Sequence, residues 1–152
     1  MVRYHANDLR KGRISLVDHL YMVTANTYQR QTIFSRFFSA RILIRCMGKA
    51  ELEGRCLTHA FVVMPDHFHW LVTLTSQQTL SDLVASVKRE TSYLLHQHDL
   101  WHEAVWQKGF HDHALRGDDD VVSVCRYIVA NPLRKGLVGS VNDYPHWDCR
   151  YL

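Results

Sequence analysis

The sequence predicts an α+β fold in which helices pack on an antiparallel sheet. Short segments with alternating apolar residues predict strands, and longer segments with apolar residues at helical spacing predict helices. Two of the predicted strands are separated by only three residues, Met64-Pro65-Asp66, which favour a tight turn. A hairpin joined this closely makes the sheet antiparallel, at least in part.

The first predicted strand is residues 14–24, in which apolar residues roughly alternate. Residues 26–32 are polar and are expected to form a loop. Residues 34–50 carry apolar side chains at helical spacing with arginines and a lysine between them. They predict an amphipathic helix with a basic face.

The second and third predicted strands, 57–63 and 67–74, form the hairpin. A second helix is expected over 80–98, with Thr79 or Ser81 as its N-cap. Residues 105–116 are short and extended.

Three aspartates, 118–120, are expected to open a third helix, because acidic groups suit the positive end of the helix dipole. That helix should reach Asn131, since Pro132 disfavours helical geometry in the residue before it. A further turn runs from Leu133 to Leu137. The resulting order of strands and helices predicts a ferredoxin-like sandwich.

Length and composition favour one domain, residues 1–152, which buries its own core. The four cysteines form no Cys-x-x-Cys pair, which favours a reducing, cytoplasmic location over a disulfide scaffold. The charged start lacks the apolar stretch of a signal peptide, and no apolar run approaches membrane-spanning length. The formal net charge of +3 permits a nucleic-acid partner without requiring one.

The candidate site begins with His67 and His69. Side chains two residues apart leave a strand on the same face, so the two imidazoles would stand side by side. Together they supply half of a tetrahedral metal shell, and a metal there could polarise a phosphate. In a chain with 11 histidines the pair alone is weak evidence. The alternative is two strand histidines that are hydrogen-bonded within a half-buried sheet.

Tyr127 and Asn131 are four residues apart in the third predicted helix and would share one face. The Asn131 amide oxygen could be a third metal ligand, with Tyr127 about one turn, roughly 5–6 Å, away. A phenol becomes a useful nucleophile when a metal neutralises the phosphate that it attacks. The alternative is that Tyr127 packs in the core and Asn131 merely ends the helix.

Three blocks of sequence carry a family resemblance. They are residues 64–72 (MPDHFHWLV), residues 106–113 (WQKGFHDH) and residues 127–138 (YIVANPLRKGLV). In this order and spacing they resemble the REP-associated tyrosine transposases, a branch of the single-tyrosine HUH transposases related to the IS200/IS605 group. The resemblance covers nearly the whole chain.

The resemblance implies a ferredoxin-like fold and cleavage and joining of single-stranded DNA near hairpins. It implies that His67 and His69 bind the metal, that Asn131 completes its shell, and that Tyr127 attacks the scissile phosphate. The product is a 5′-phosphotyrosine and a free 3′-OH. The expected metal is Mg²⁺ or Mn²⁺, and Mn²⁺ suits two imidazoles somewhat better. Two alternatives stay open: a hairpin-DNA binder that does not cut, and a metal-dependent hydrolase that uses water.

Asp66 departs from the family pattern, which usually has Asn at this position. It could point at the metal, at a histidine as an outer support, or at solvent. Residues 144–148 follow the family's C-terminal pattern only in part. Relatives make a homodimer possible.

Basic residues in the second predicted helix and on either side of the third could form a path for DNA, although each could also belong to a solvated helix face. These candidates are Lys88, Arg89, Arg116, Arg134 and Lys135.

Overall fold

A computed structural model describes residues 19–116 and 120–152 of the chain. In this part of the chain, five antiparallel strands form one sheet in the order β4-β1-β3-β2-β5. The strands are β1 (Leu20–Asn26), β2 (Cys56–Met64), β3 (His67–Leu74), β4 (His111–Ala114) and β5 (Trp147–Cys149). The helices are α1 (Phe37–Leu52), α2 (Leu80–Gln97), α3 (Val121–Val129) and α4 (Asn131–Arg134).

The predicted α+β class, with helices packed on an antiparallel sheet, is confirmed. Strand β3 has the predicted bounds, and Thr79 is the N-cap of α2, where its Oγ1 accepts a hydrogen bond from the backbone N–H of Asp82 at 3.0 Å. The predicted helix over 34–50 starts later, because Ile33–Ser35 form a separate 3-10 turn before α1. Part of the first predicted strand, residues 14–18, lies outside the described residues.

The sheet has a core on each face. Helices α1 and α2 cover one face, where Phe68, Trp70 and Val72 of β3 are fully buried. Helix α3 covers the other face, where Leu71 of β3 packs in a second cluster with Ile128 of α3. Because side chains alternate along β3, His67 and His69 share the face of Leu71. The histidine pair and α3 therefore lie on the same side of the sheet.

The third predicted helix is divided into two. Helix α3 ends at Val129, and α4 begins at Asn131 after Ala130. Pro132 causes the division, because it has no N–H to donate to the carbonyl four residues earlier in α3. The prediction of one continuous helix across Tyr127 and Asn131 is therefore wrong, and the two residues differ in exposure: Tyr127 is 49% exposed and Asn131 only 3%.

Asp120 is the N-cap of α3, with its carboxylate accepting a hydrogen bond from the N–H of Val122 at 3.0 Å. The other two aspartates of the predicted helix start, residues 118 and 119, lie outside the described residues. Among the helices of residues 19–116 and 120–152, none is long and apolar enough to span a membrane.

Candidate active site

The two histidines lie at the start of β3, the middle strand of the sheet. Their ring centroids are 4.9 Å apart and the rings are nearly perpendicular, at 79°. His67 pairs with Met64 of β2, and His69 with Val62, so the pair lies next to the tight turn between the two strands. Placement on a central, hydrogen-bonded strand holds both rings on a rigid support.

Each imidazole is held through its Nδ1 atom. His67 Nδ1 lies 2.7 Å from Asp66 Oδ1, and His69 Nδ1 lies 2.8 Å from Thr24 Oγ1. A carboxylate only accepts, so His67 Nδ1 carries the proton in this contact. This leaves Nε2 as the ring nitrogen that can bind a ligand on each histidine. Metal-binding histidines are commonly oriented in this way by a partner on the other nitrogen.

Both histidines are held in the neutral form. Burial lowers the pKa of His69 to about 3, and the electrostatic effect of the neighbouring His67, Arg134 and Lys135 lowers it further. Burial also lowers the pKa of His67, although its hydrogen bond to Asp66 opposes the shift. Since a metal binds neutral imidazole, the pair is ready to act as ligands at neutral pH.

Asp66 points at a histidine, one of its three predicted orientations. Its second oxygen, Oδ2, accepts a hydrogen bond from Arg30 Nε at 3.0 Å. Burial raises the pKa of the Asp66 carboxyl, but the hydrogen bonds from His67 and Arg30 outweigh burial and hold it below the usual range. Asp66 therefore stays ionised and keeps the His67 ring in one orientation.

Arg30 and Thr24 support the site, although no local sequence signal points to either residue. Arg30 lies in a 3-10 turn, Tyr28–Arg30, with a left-handed backbone at φ 55°. Non-glycine residues rarely adopt this conformation, and the turn is secured where Thr27 N–H donates to the Asp66 carbonyl at 2.9 Å. The turn delivers the Arg30 side chain to the Asp66 carboxylate.

Tyr127 is in direct contact with Arg134. The Arg134 guanidinium lies 3.9 Å from the centre of the Tyr127 ring, and its Nη1 donates to the Tyr127 carbonyl at 2.8 Å. The charge of Arg134 also acts on His69. Arg134 thus contacts Tyr127 and is near enough to influence the pKa of His69, although the chain separates Tyr127 from the histidine pair by almost 60 residues.

Asn131 is buried at the start of α4, three residues before Arg134. Within residues 19–116 and 120–152, no three His, Cys, Asp or Glu side chains cluster closely enough to hold a metal. Any metal at the histidine pair would need other oxygen donors, such as the Asn131 amide or a phosphate. The role of Asn131 as a third ligand stays a prediction.

The predicted DNA-binding residues are in different surroundings. Lys88 Nζ donates to the carbonyls of Gln107 and Gly109, at 3.0 and 2.9 Å. Its ammonium group therefore stabilises the backbone of this loop. Arg89 and Arg116 are exposed. Arg134 and Lys135 are exposed and lie close enough to the histidine pair to affect His69. DNA binding by these five residues stays a prediction.

Comparison with known proteins identifies the family. The family model described as "Transposase IS200 like" matches residues 15–131, most of the chain. The chain belongs to the IS200-like transposase family. The predicted resemblance to transposases is confirmed at this level, and the matched segment contains His67, His69, Tyr127 and Asn131.

Two curated relatives are similar to this transposase chain. The REP-associated tyrosine transposase of Escherichia coli (strain K12) is 31% identical over 88 residues, which cover 57% of this chain and 50% of that protein. A relative from Haemophilus influenzae is 27% identical over 99 residues, 59% of this chain and 56% of its own length. The chain therefore spans about half the length of the curated relatives that it matches.

A solved structure confirms the fold of the transposase chain. It is a REP-associated tyrosine transposase bound to a REP hairpin, and it superposes with a TM-score of 0.74 over 97% of this chain and 82% of that one. The two sequences are 23% identical. The likeness therefore extends over nearly the whole length and concerns the arrangement of strands and helices.

Proposed function

We propose that this chain cuts and rejoins single-stranded DNA beside hairpins, with Tyr127 as the nucleophile. One observation carries the proposal. Two neutral imidazoles, each held at Nδ1, lie on the sheet face covered by α3, the helix that carries the half-exposed Tyr127. Family membership supplies the reaction class, and this arrangement supplies residues suited to it.

The histidine pair fits a divalent cation. His67 and His69 are neutral, and their partners on Nδ1 direct Nε2 toward a ligand. Asn131 would add an amide oxygen. A bound Mn²⁺ or Mg²⁺ would draw negative charge from the scissile phosphate and stabilise the oxygen that leaves. Two imidazoles suit Mn²⁺ better than Mg²⁺, which prefers oxygen ligands.

The covalent step is carried by Tyr127. Its Oη attacks the phosphorus, the bond from phosphorus to the 3′-oxygen breaks, and a 5′-phosphotyrosine forms. The phenol proton passes to solvent, and the released 3′-oxygen takes up a proton. Because the phosphotyrosine keeps the bond energy, a 3′-OH can reverse the step and rejoin DNA without ATP. Arg134 and Lys135 would neutralise charge on the phosphates nearby.

Hairpin DNA is the proposed partner. The solved relative with the same fold is bound to a REP hairpin. Arg134 and Lys135 carry positive charge near the histidine pair, and this charge suits a phosphate backbone.

Action as a homodimer is part of the proposal, and light scattering coupled to size exclusion would test it.

The test is a covalent adduct. The protein is incubated with Mn²⁺ and a pool of labelled single strands that carry hairpins with unpaired flanks, then resolved on a denaturing gel. We expect an adduct that disappears in Tyr127→Phe and in His69→Ala. Tyr93→Phe is the matched control, since Tyr93 is an exposed tyrosine on α2, on the opposite side of the sheet.

Three results would contradict the proposal. An adduct that persists in Tyr127→Phe would exclude Tyr127 as the nucleophile. Hairpin binding without an adduct under any divalent metal would favour a binder that does not cut. Cleaved strands without a trapped intermediate would favour a hydrolase that uses water.

A further inference from the structure

Arg134 makes two separate contacts with one residue, Tyr127. Its guanidinium stacks on the ring at 3.9 Å, and its Nη1 donates to the backbone carbonyl at 2.8 Å. Attraction of DNA requires only the positive charge of an arginine. It does not require contacts with both the side chain and the backbone of one neighbouring residue. The contacts point to a role in fixing the position of Tyr127.

The break between α3 and α4 makes these contacts possible. Tyr127 lies in the last turn of α3, where backbone carbonyls lack partners within the helix. Arg134 ends α4, beyond the break that Pro132 imposes. The Arg134 side chain supplies the missing donor to the Tyr127 carbonyl. The break between the helices thus lets Arg134 turn back and contact Tyr127.

The contacts require the chemistry of arginine in particular. A guanidinium is planar, so it can lie on an aromatic face while its N–H groups donate in the same plane. Lysine keeps the charge but has a compact ammonium that cannot do both. Lys135, the next residue, has a charge that also acts on His67 and His69, and within the described residues it makes no contact of this kind with Tyr127.

Resting on the proposed function, we propose that Arg134 is a positioning residue: it holds the Tyr127 ring toward the histidine pair so that the hydroxyl can attack. The role is distinct from attraction of DNA, which Lys135 can share. Nucleophile placement controls the rate because a displacement of about 1 Å can cost roughly a hundredfold in rate.

The kinetic test separates placement from charge. Hairpin DNA affinity and the single-turnover rate of adduct formation at saturating DNA are measured for Arg134→Lys and for Lys135→Ala. We expect Arg134→Lys to keep its affinity within about threefold while its rate falls at least about tenfold. Lys135→Ala should instead bind DNA more weakly and with less sensitivity to salt. A parent-like rate in Arg134→Lys would overturn the proposal.

A second measurement does not depend on activity. The protein is labelled with 3-fluorotyrosine, and the Tyr127 resonance is assigned by its loss in Tyr127→Phe. In ¹⁹F spectra without DNA, we expect this resonance to shift and narrow in Arg134→Lys, because the ring is released, and to stay in place in Lys135→Ala. An unchanged resonance in Arg134→Lys would refute the positioning role.

The kinetic and the fluorine measurements together distinguish failure of the proposed function from failure of the proposed role of Arg134. If the parent protein forms no adduct with any strand, the proposed function fails, and the fluorine spectra still decide whether Arg134 holds Tyr127. Thermal unfolding of both variants shows whether the fold is intact. We expect Lys135→Ala to melt like the parent and Arg134→Lys to melt slightly below it, because both side chains are exposed but Arg134 also donates to the Tyr127 carbonyl.

Discussion

Thr24 Oγ1 lies 2.8 Å from Nδ1 of His69, across the boundary between β1 and β3. The two residues are direct partners in the register of these antiparallel strands. This pairing gives His69 its only hydrogen-bonded support within the described residues. It explains how a ring whose pKa is lowered to about 3 is kept in one orientation without a charged partner.

Thr24→Val should weaken metal binding while keeping the shape of the strand. The valine removes the hydrogen bond to His69, and loss of such a support typically costs roughly 10- to 100-fold in metal affinity. Mn²⁺ titration by calorimetry measures the effect. Thr73→Val is the matched control, since Thr73 bonds to His59 instead. Equal Mn²⁺ affinity in Thr24→Val and the parent would show that the contact does not support a metal site.

Asp66 should tolerate asparagine better than alanine. The amide oxygen that Asp66→Asn introduces could still accept the hydrogen bond from His67 Nδ1, whereas Asp66→Ala removes it and leaves Arg30 without this acceptor. We expect Mn²⁺ affinity within about threefold of the parent for Asp66→Asn and at least about tenfold weaker for Asp66→Ala. If both variants lose affinity equally, the negative charge of Asp66 matters rather than its acceptor oxygen.

The metal-free protein should lose stability as the pH falls from about 7.5 to about 5, and His59 should account for part of the loss. His59 bonds to Thr73 Oγ1 and to the Tyr151 hydroxyl, both at 2.8 Å. Burial, aided by the charge of Arg150, lowers its pKa below the ordinary value. Below a pH of about 6.5 the unfolded chain takes up a proton that the native His59 does not, so the free energy of unfolding declines.

Urea unfolding in chelator at several pH values measures this decline. His59→Gln should show a shallower loss over the same pH range, whatever its stability at neutral pH, because it no longer titrates. A parent-like slope in His59→Gln would mean that His59 is already protonated in the native state within this range.

Substitutions at Lys88 and Arg89, which are adjacent in α2, should have different effects: the first on stability and the second on DNA binding. Lys88→Met loses two hydrogen bonds to the loop at Gln107 and Gly109, and we expect unfolding to become easier by about 1 kcal/mol. Arg89→Ala should change stability by less than about 0.5 kcal/mol. If Arg89 contacts a phosphate, its removal should lower the slope of log affinity against log salt by about 1.

Urea unfolding and DNA binding at several salt concentrations measure both quantities on the same samples. If Lys88→Met is as stable as the parent but binds the hairpin more weakly, Lys88 contacts DNA and does not stabilise the fold.

The strands near the site could be predicted because their signals are local. Alternation of side chains and the turn at 64–66 gave β3 its correct bounds, 67–74. Strand β5 was not predicted, because three residues carry too little alternation, and its strand geometry comes from pairing with β2. The predicted helix across Tyr127 and Asn131 was wrong because Pro132 ends regular helix geometry earlier than the apolar spacing suggested.

The sequence alone determined the chemical groups of the candidate site: two imidazoles on one face of a strand, a tyrosine and an asparagine near a proline, and the family to which they belong. Tertiary structure decided which partners hold those groups. Thr24 reaches His69 through strand register, Arg30 reaches Asp66 through a left-handed turn, and Arg134 reaches Tyr127 across a helix break. Contacts of this kind depend on the path of the backbone between distant residues, which residue spacing along the chain does not specify.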